Sequence, residues 1–317
     1  MFTGKSRQDA RILAEARSWL TDLLQRVPPH GNAALRTSSY AVLGCWIADT
    51  TIAATETSLD VTPFLETASL ASELMSLAEN EKYILSSVDS SLMLVVEVLL
   101  SSYGLTVPAL RRFMSETLEI LSRRDSALLA DSSLFEKRML LHCMGILPSP
   151  DVYPKDEVRD VLTGLSLPVT AGQLYRVIAL IECLTGWGTW TRGIEAYEPW
   201  VNEMVTGLAV HCFKRNDLNG GTRLLRLSEY LGASKVERKR SDLYTYLCTL
   251  QNLKGAFGWF GPEEVELRRL SSESLAEVEL YLPATVDCLW TLAEGWMTGW
   301  RLVAELPRYE IPSDHFG

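Results

Sequence analysis

The sequence predicts an all-α protein of stacked antiparallel helical hairpins, closed into an α/α toroid or left open as an α-solenoid. Three observations predict it. Apolar residues recur at three- and four-residue spacing through nearly every segment of the 317 residues, while strand-like alternation is scarce. Gly104, Gly145, Gly186 and Gly232 each follow an apolar run, where a left-handed C-cap favours glycine. Those glycines are 41, 41 and 46 residues apart. A unit of about 40–47 residues suits a hairpin repeat.

The first helix is expected at 6–26, with Ile12, Ala16, Trp19, Leu20, Leu23 and Leu24 on one side and Lys5, Arg7, Asp9, Arg11 and Arg17 elsewhere. Pro28-Pro29 and His30-Gly31 end it. A second follows at 33–54. The third, at 62–79, opens on Thr62-Pro63, with proline in a first-turn position. Further helices are expected at 84–102, 107–123, 132–145, 156–164, 170–185, 196–215, 222–231, 238–252 and 273–297. The run Ile84 to Leu100 contains Asp89 and Glu97 and reads as a buried core helix rather than a bilayer span. One domain, 1–317, is expected. The proline-rich stretch at 147–155 (Pro148, Pro150, Pro154) marks an internal break between an N-terminal half and a tryptophan-rich C-terminal half.

Composition narrows the class. A hydrophobic share of 47% is too high for a disordered chain. A formal net charge of −10 argues against a phosphate-coating nucleic-acid binder. Residues 1–26 lack the uninterrupted apolar stretch of a secretory signal. Cys45, Cys143, Cys183, Cys212, Cys248 and Cys288 sit in apolar helical runs without CxxC spacing, as reduced thiols acting as small hydrophobes would. A cytoplasmic location follows as the expectation, with no membrane contact. Arg111-Arg112, Arg123-Arg124 and the basic run 235–240 read as solvated faces, as does the acidic run 263–279.

Seven of the nine tryptophans lie after residue 186. Aromatics so concentrated fill a core or line a ligand cavity. The expected ligand-binding set is Trp187, Trp190, Tyr246, Trp259, Trp290 and Trp296, facing a small hydrophobic or aromatic molecule. Carboxyls in apolar surroundings are Asp49, Asp89, Glu97, Glu182, Asp287 and Glu294. Burial among aromatics suits a general acid, and Glu182 and Asp287 are taken as the candidate acids. His142-Cys143, His211-Cys212 and Asp287-Cys288 are donors of zinc-ligating type. Adjacent helical residues point about 100° apart, however, so a dipeptide seldom supplies two ligands. No metal or cofactor is expected. No P-loop, dinucleotide-binding fingerprint, GxSxG elbow or EF-hand loop occurs. The first expectation is an enzyme or enzyme-like small-molecule binder with an aromatic-lined cavity in the C-terminal half, its reaction unspecified; the alternative is a non-catalytic helical-repeat protein that binds a peptide or protein.

One stretch carries a resemblance. Tyr246-Leu247, Gln251, Gly255 and Phe257, with Trp259 beyond, are spaced in a way that resembles the QW repeat of squalene-hopene and related terpenoid cyclases. The physical logic stands without the family: Tyr246, Leu247 and Leu250 form a buried stripe, and Gln251 can bond exposed backbone at the helix end. Gly255 permits a tight turn, and the aromatic fastens the loop down. The resemblance covers 246–259 and implies an α/α-toroid architecture and a structural role. The cyclases' DxDD acid motif is absent, as is DDxxD. Asn216-Asp217 is similar to the opening of a terpene-synthase magnesium motif, but its later ligand positions are Gly220 and Leu224.

Overall fold

A computed structural model describes residues 4–55, 62–87, 89–123, 132–148, 170–189, 198–231, 237–258, 265, 269, 272–297 and 300–309. The described chain is all-α, as the periodicity predicts. Its helices are α1 Gly4–Arg26, α2 Asn32–Thr55, α3 Thr62–Met75, α4 Ala78–Leu85, α5 Ser90–Ser102, α6 Pro108–Arg123 and α7 Ser132–Cys143. They continue as α8 Ala171–Leu184, α9 Glu198–Lys214, α10 Leu218–Tyr230, α11 Glu237–Thr249, α12 Glu273–Leu280, α13 Leu282–Trp296 and α14 Leu302–Glu305. No helix among the described residues is long and apolar enough to cross a membrane.

Three boundaries differ from the sequence reading, each for a local reason. The expected 62–79 helix ends at Met75, and α4 starts at Ala78 after a gap of two residues. Neither glycine nor proline marks that break. Asn80 makes it: its amide donates to the carbonyls of Pro29 (2.9 Å) and Leu74 (2.8 Å), and its oxygen accepts from Gly31 N–H at 2.8 Å. The expected 273–297 helix breaks at Tyr281, just before Pro283, whose missing N–H and bulky ring disrupt a helix interior but suit the first turn of α13. α10 begins at Leu218 rather than 222 because Asp217 caps it, accepting from Gly220 N–H at 2.9 Å. The helix expected at 156–164 lies outside the described residues, as does most of the break at 147–155.

The glycine expectation holds in detail. Gly104, Gly145 and Gly186 have φ of 76°, 74° and 51°. At each, the glycine N–H and the next residue's N–H reach back to the second- and third-last helical carbonyls. The pairs are Ser101 and Leu100, His142 and Leu141, and Cys183 and Glu182. These are Schellman endings. A fourth closes α9 with Asn216 in the glycine place, at φ 62°. Gly232 lies outside the described residues.

The chain divides into two compact units, residues 1–115 with 245–297 and residues 116–244 with 298–317. In the first, α1, α3, α5 and α13 pack against α2. The sequence of α2 is apolar or small on every side, which suits a helix enclosed by others. Gly44 sets the approach: a Cβ there would stand 2.5 Å from a Leu20 methyl of α1 and 3.0 Å from Val286 of α13. The expected α1 stripe, Ile12 to Leu24, is buried. In α5, Met93 to Leu100 are all buried, making it the expected core helix. In the second unit, α10 packs on α9 and α8, and α8 on α7. Gly221 lets α10 close on the Phe213 ring of α9, 2.8 Å from where a Cβ would be.

Candidate functional site

The second unit holds a buried ionic cluster at the end of α8. Thr170 and Gln173 start that helix with a reciprocal capping box. Twelve residues past the cap, Glu182 is 4% exposed. Arg223 of α10 meets it in a fork, its Nε 3.1 Å from Oε1 and its second nitrogen on Oε2. Arg226, one turn along and 1% exposed, brings a guanidinium nitrogen to 4.0 Å from Oε1. Forked guanidinium–carboxylate pairing fixes geometry as well as charge. It sets the register of α10 on α8.

The main chain of Glu182 serves the same corner. Its carbonyl accepts from Trp187 N–H at 2.9 Å. Gly186, Trp187 and Gly188 have φ of 51°, 49° and 83°, a left-handed run with a bulky residue in the middle. Such a backbone costs a non-glycine residue about 1–3 kcal/mol. Burial of the Trp187 indole, 5% exposed, offsets it. Gly188 closes against Tyr230 and Arg301, which lie 2.5 and 2.6 Å from its Cβ position. The Arg301 guanidinium stands 5.4 Å from the centre of the Tyr230 ring.

The first unit contains the cyclase-like turn, in which Leu247 and Leu250 are buried and Tyr246 is half-buried. Gln251 Nε2 donates to the carbonyls of Ile12 at 2.8 Å and Gly255 at 3.0 Å. Gln251 and Phe257 form an antiparallel bridge. Asn252 Oδ1 accepts from the N–H groups of Lys254 (2.8 Å) and Ala256 (3.1 Å). Gly255, at φ 97°, lies on the backbone of α1: a Cβ would come within 2.2 Å of Glu15 O. Phe257 is fully buried, and its N–H donates to Thr285 Oγ1 of α13 at 3.0 Å. Lys254 Nζ reaches Glu273 at 2.9 Å and buried Glu277 at 3.3 Å, both on α12. The bond to Glu273 holds the ammonium above its ordinary pKa. Arg26 meets the other Glu277 oxygen at 2.7 Å. Burial alone would lower the Arg26 pKa, but its bonds to Glu277 and Asp22 raise it. At the apex of this anchored turn Leu253 is fully exposed.

The expected site residues are distributed over both units. Glu182 and Trp187 belong to the second, where the Glu182 carbonyl joins them. Tyr246, Asp287, Trp290 and Trp296 belong to the first and are half-buried. Burial raises the Tyr246 phenol. Trp190 and Trp259 lie outside the described residues. Among the other carboxyls, Asp49 accepts from Arg17 at 2.6 Å. Glu97 accepts from Ser101 at 2.7 Å and lies 3.7 Å from Arg111. Glu294 accepts from Trp290 Nε1 at 2.7 Å, and Asp89 stands half-buried at the N-cap of α5.

The His-Cys pairs take separate roles. His142 Nδ1 is 3.1 Å from Leu147 O in the turn that ends α7, and His211 is exposed. Burial pushes the thiols of Cys45, Cys143 and Cys212 up to about 12 and that of Cys183 well above its ordinary value. No group of three or more His, Cys, Asp or Glu among the described residues could hold a metal ion. The magnesium-like Asn216-Asp217 pair is a helix stop followed by a helix cap.

Arg223 and Arg226 were not singled out by sequence reasoning. Their signal is present: two arginines three positions apart share one helix face in a run that also holds Leu224, Leu225 and Leu227. Such a pair calls for an anionic partner inside. Compared with protein-family models, curated proteins and solved structures, the chain matches none.

Proposed function

We propose that this chain is a non-catalytic helical binding protein whose partner is a peptide or protein. The observation that carries the reading is how the buried carboxylates among the described residues are used. Glu182, Glu277, Asp49 and Glu97 are turned toward arginine or lysine on a neighbouring segment, and Glu294 toward an indole N–H. Oxygens that accept from fixed cationic donors brace helices, whereas general acid catalysis needs an oxygen that donates to a substrate. The buried thiols, with raised pKa values, are likewise poor nucleophiles. Stacked hairpins suit such a role, whether closed as a toroid or open as a solenoid. Six free cysteines fit a reducing compartment, and we place the protein in the cytoplasm.

Leu253 is the side chain we assign to the partner contact. The turn that carries it is bonded to α1, α12 and α13, so little conformational freedom would be lost on binding. A photo-crosslinking residue at position 253 in the cell of origin tests the reading. The expected result is one discrete polypeptide adduct whose purified partner binds the wild type and not Leu253→Asp. Diffuse labelling, or binding indifferent to that substitution, overturns it.

The left-handed Trp187 favours a second reading, a small aromatic or hydrophobic ligand at the end of α8. Binding there would quench tryptophan fluorescence in the wild type and not in Trp187→Phe.

A further inference from the structure

We draw no further inference here: the strongest candidate, the fully exposed Leu253 at the apex of the 250–258 turn, belongs to the surface already assigned to a partner, and nothing in the structure shows what covers it.

Discussion

The side-chain amide of Gln251 donates to the main-chain carbonyl of Ile12 at 2.8 Å, across 239 positions of sequence. A second bond from the same nitrogen holds Gly255 O at 3.0 Å, so one side chain fastens its own turn and docks it on α1. Gln251→Ala removes both bonds. At about 1 kcal/mol each, the expected loss is about 2 kcal/mol in urea unfolding. A loss below about 0.5 kcal/mol would mean that the turn is held by Phe257 and Lys254 without it.

Glycine substitutions separate backbone strain from collision. Gly104 and Gly145 have positive φ and open space where a Cβ would go. Alanine at either should cost about 1–2 kcal/mol, the left-handed penalty alone. Gly255→Ala adds a clash with Glu15 O at 2.2 Å, against backbone that cannot swing aside. Its expected cost is at least about 3 kcal/mol. Equal melting temperatures for the three variants would refute the close approach of this turn to α1.

The pairing of Glu182 with Arg223 is best measured as a cycle. Arg223→Leu leaves a buried carboxylate with Arg226 at 4.0 Å, and we expect a loss of roughly 3 kcal/mol. Glu182→Leu takes the carboxylate away from Arg226, 1% exposed, and from Arg223, whose side chain is 23% exposed, and should also destabilise. The double variant should lose less than the sum of the two single losses, with a coupling of about 1–3 kcal/mol. Additive losses would show that the fork contributes nothing beyond side-chain packing.

The sequence made the helices legible, and their endings more so, because both follow from local chemistry. Gly104, Gly145 and Gly186 were identifiable as left-handed caps from the apolar runs before them, and Gln251 and Gly255 from their spacing. Asn80 was not, since its partners Pro29 and Gly31 lie 51 and 49 positions away and no local pattern names them. The acid role expected of Glu182 rested on its apolar neighbours. Its partner Arg223 lies 41 positions on, and no local pattern pairs the two. Clustering of tryptophans in the last part of the sequence did not foretell their distribution, because unit 1 takes 245–297 while unit 2 takes 116–244 and 298–317.

Stability should fall on the alkaline side. Burial holds Cys45, Cys143 and Cys212 up at about 12, and Cys183 well above its ordinary value. Unfolded thiols titrate near about 8.5. Between those values the unfolded chain has released protons that the folded chain keeps, so stability decreases as pH rises. Lys254 acts in the same direction: its pairing with Glu273 is fully present below about 10.4 and is lost as pH passes its raised folded value. Urea midpoints should therefore drop between about pH 8 and 11. Cys45→Ala should flatten that slope, and an unchanged slope would rule out the thiol as a contributor.

Leu253→Asp separates surface from scaffold. The wild-type side chain is fully exposed, and the turn's bonds run through the side chains of Gln251, Asn252 and Lys254 and the backbone of Phe257. A carboxylate at 253 removes no internal contact, so the melting temperature should stay within the change expected of about 0.5 kcal/mol. Partner binding should nevertheless fall by tenfold or more, since about 1.4 kcal/mol of lost apolar burial is a tenfold change in affinity. Lys254→Ala supplies the contrasting case. It removes the ion pairs to Glu273 and Glu277 and should lower stability, while leaving the apolar apex in place. Two variants at adjacent positions would then move different observables, stability for Lys254 and binding for Leu253. If Leu253→Asp unfolds the protein at a lower temperature than Lys254→Ala, the apex is part of the core and the assigned contact surface is wrong.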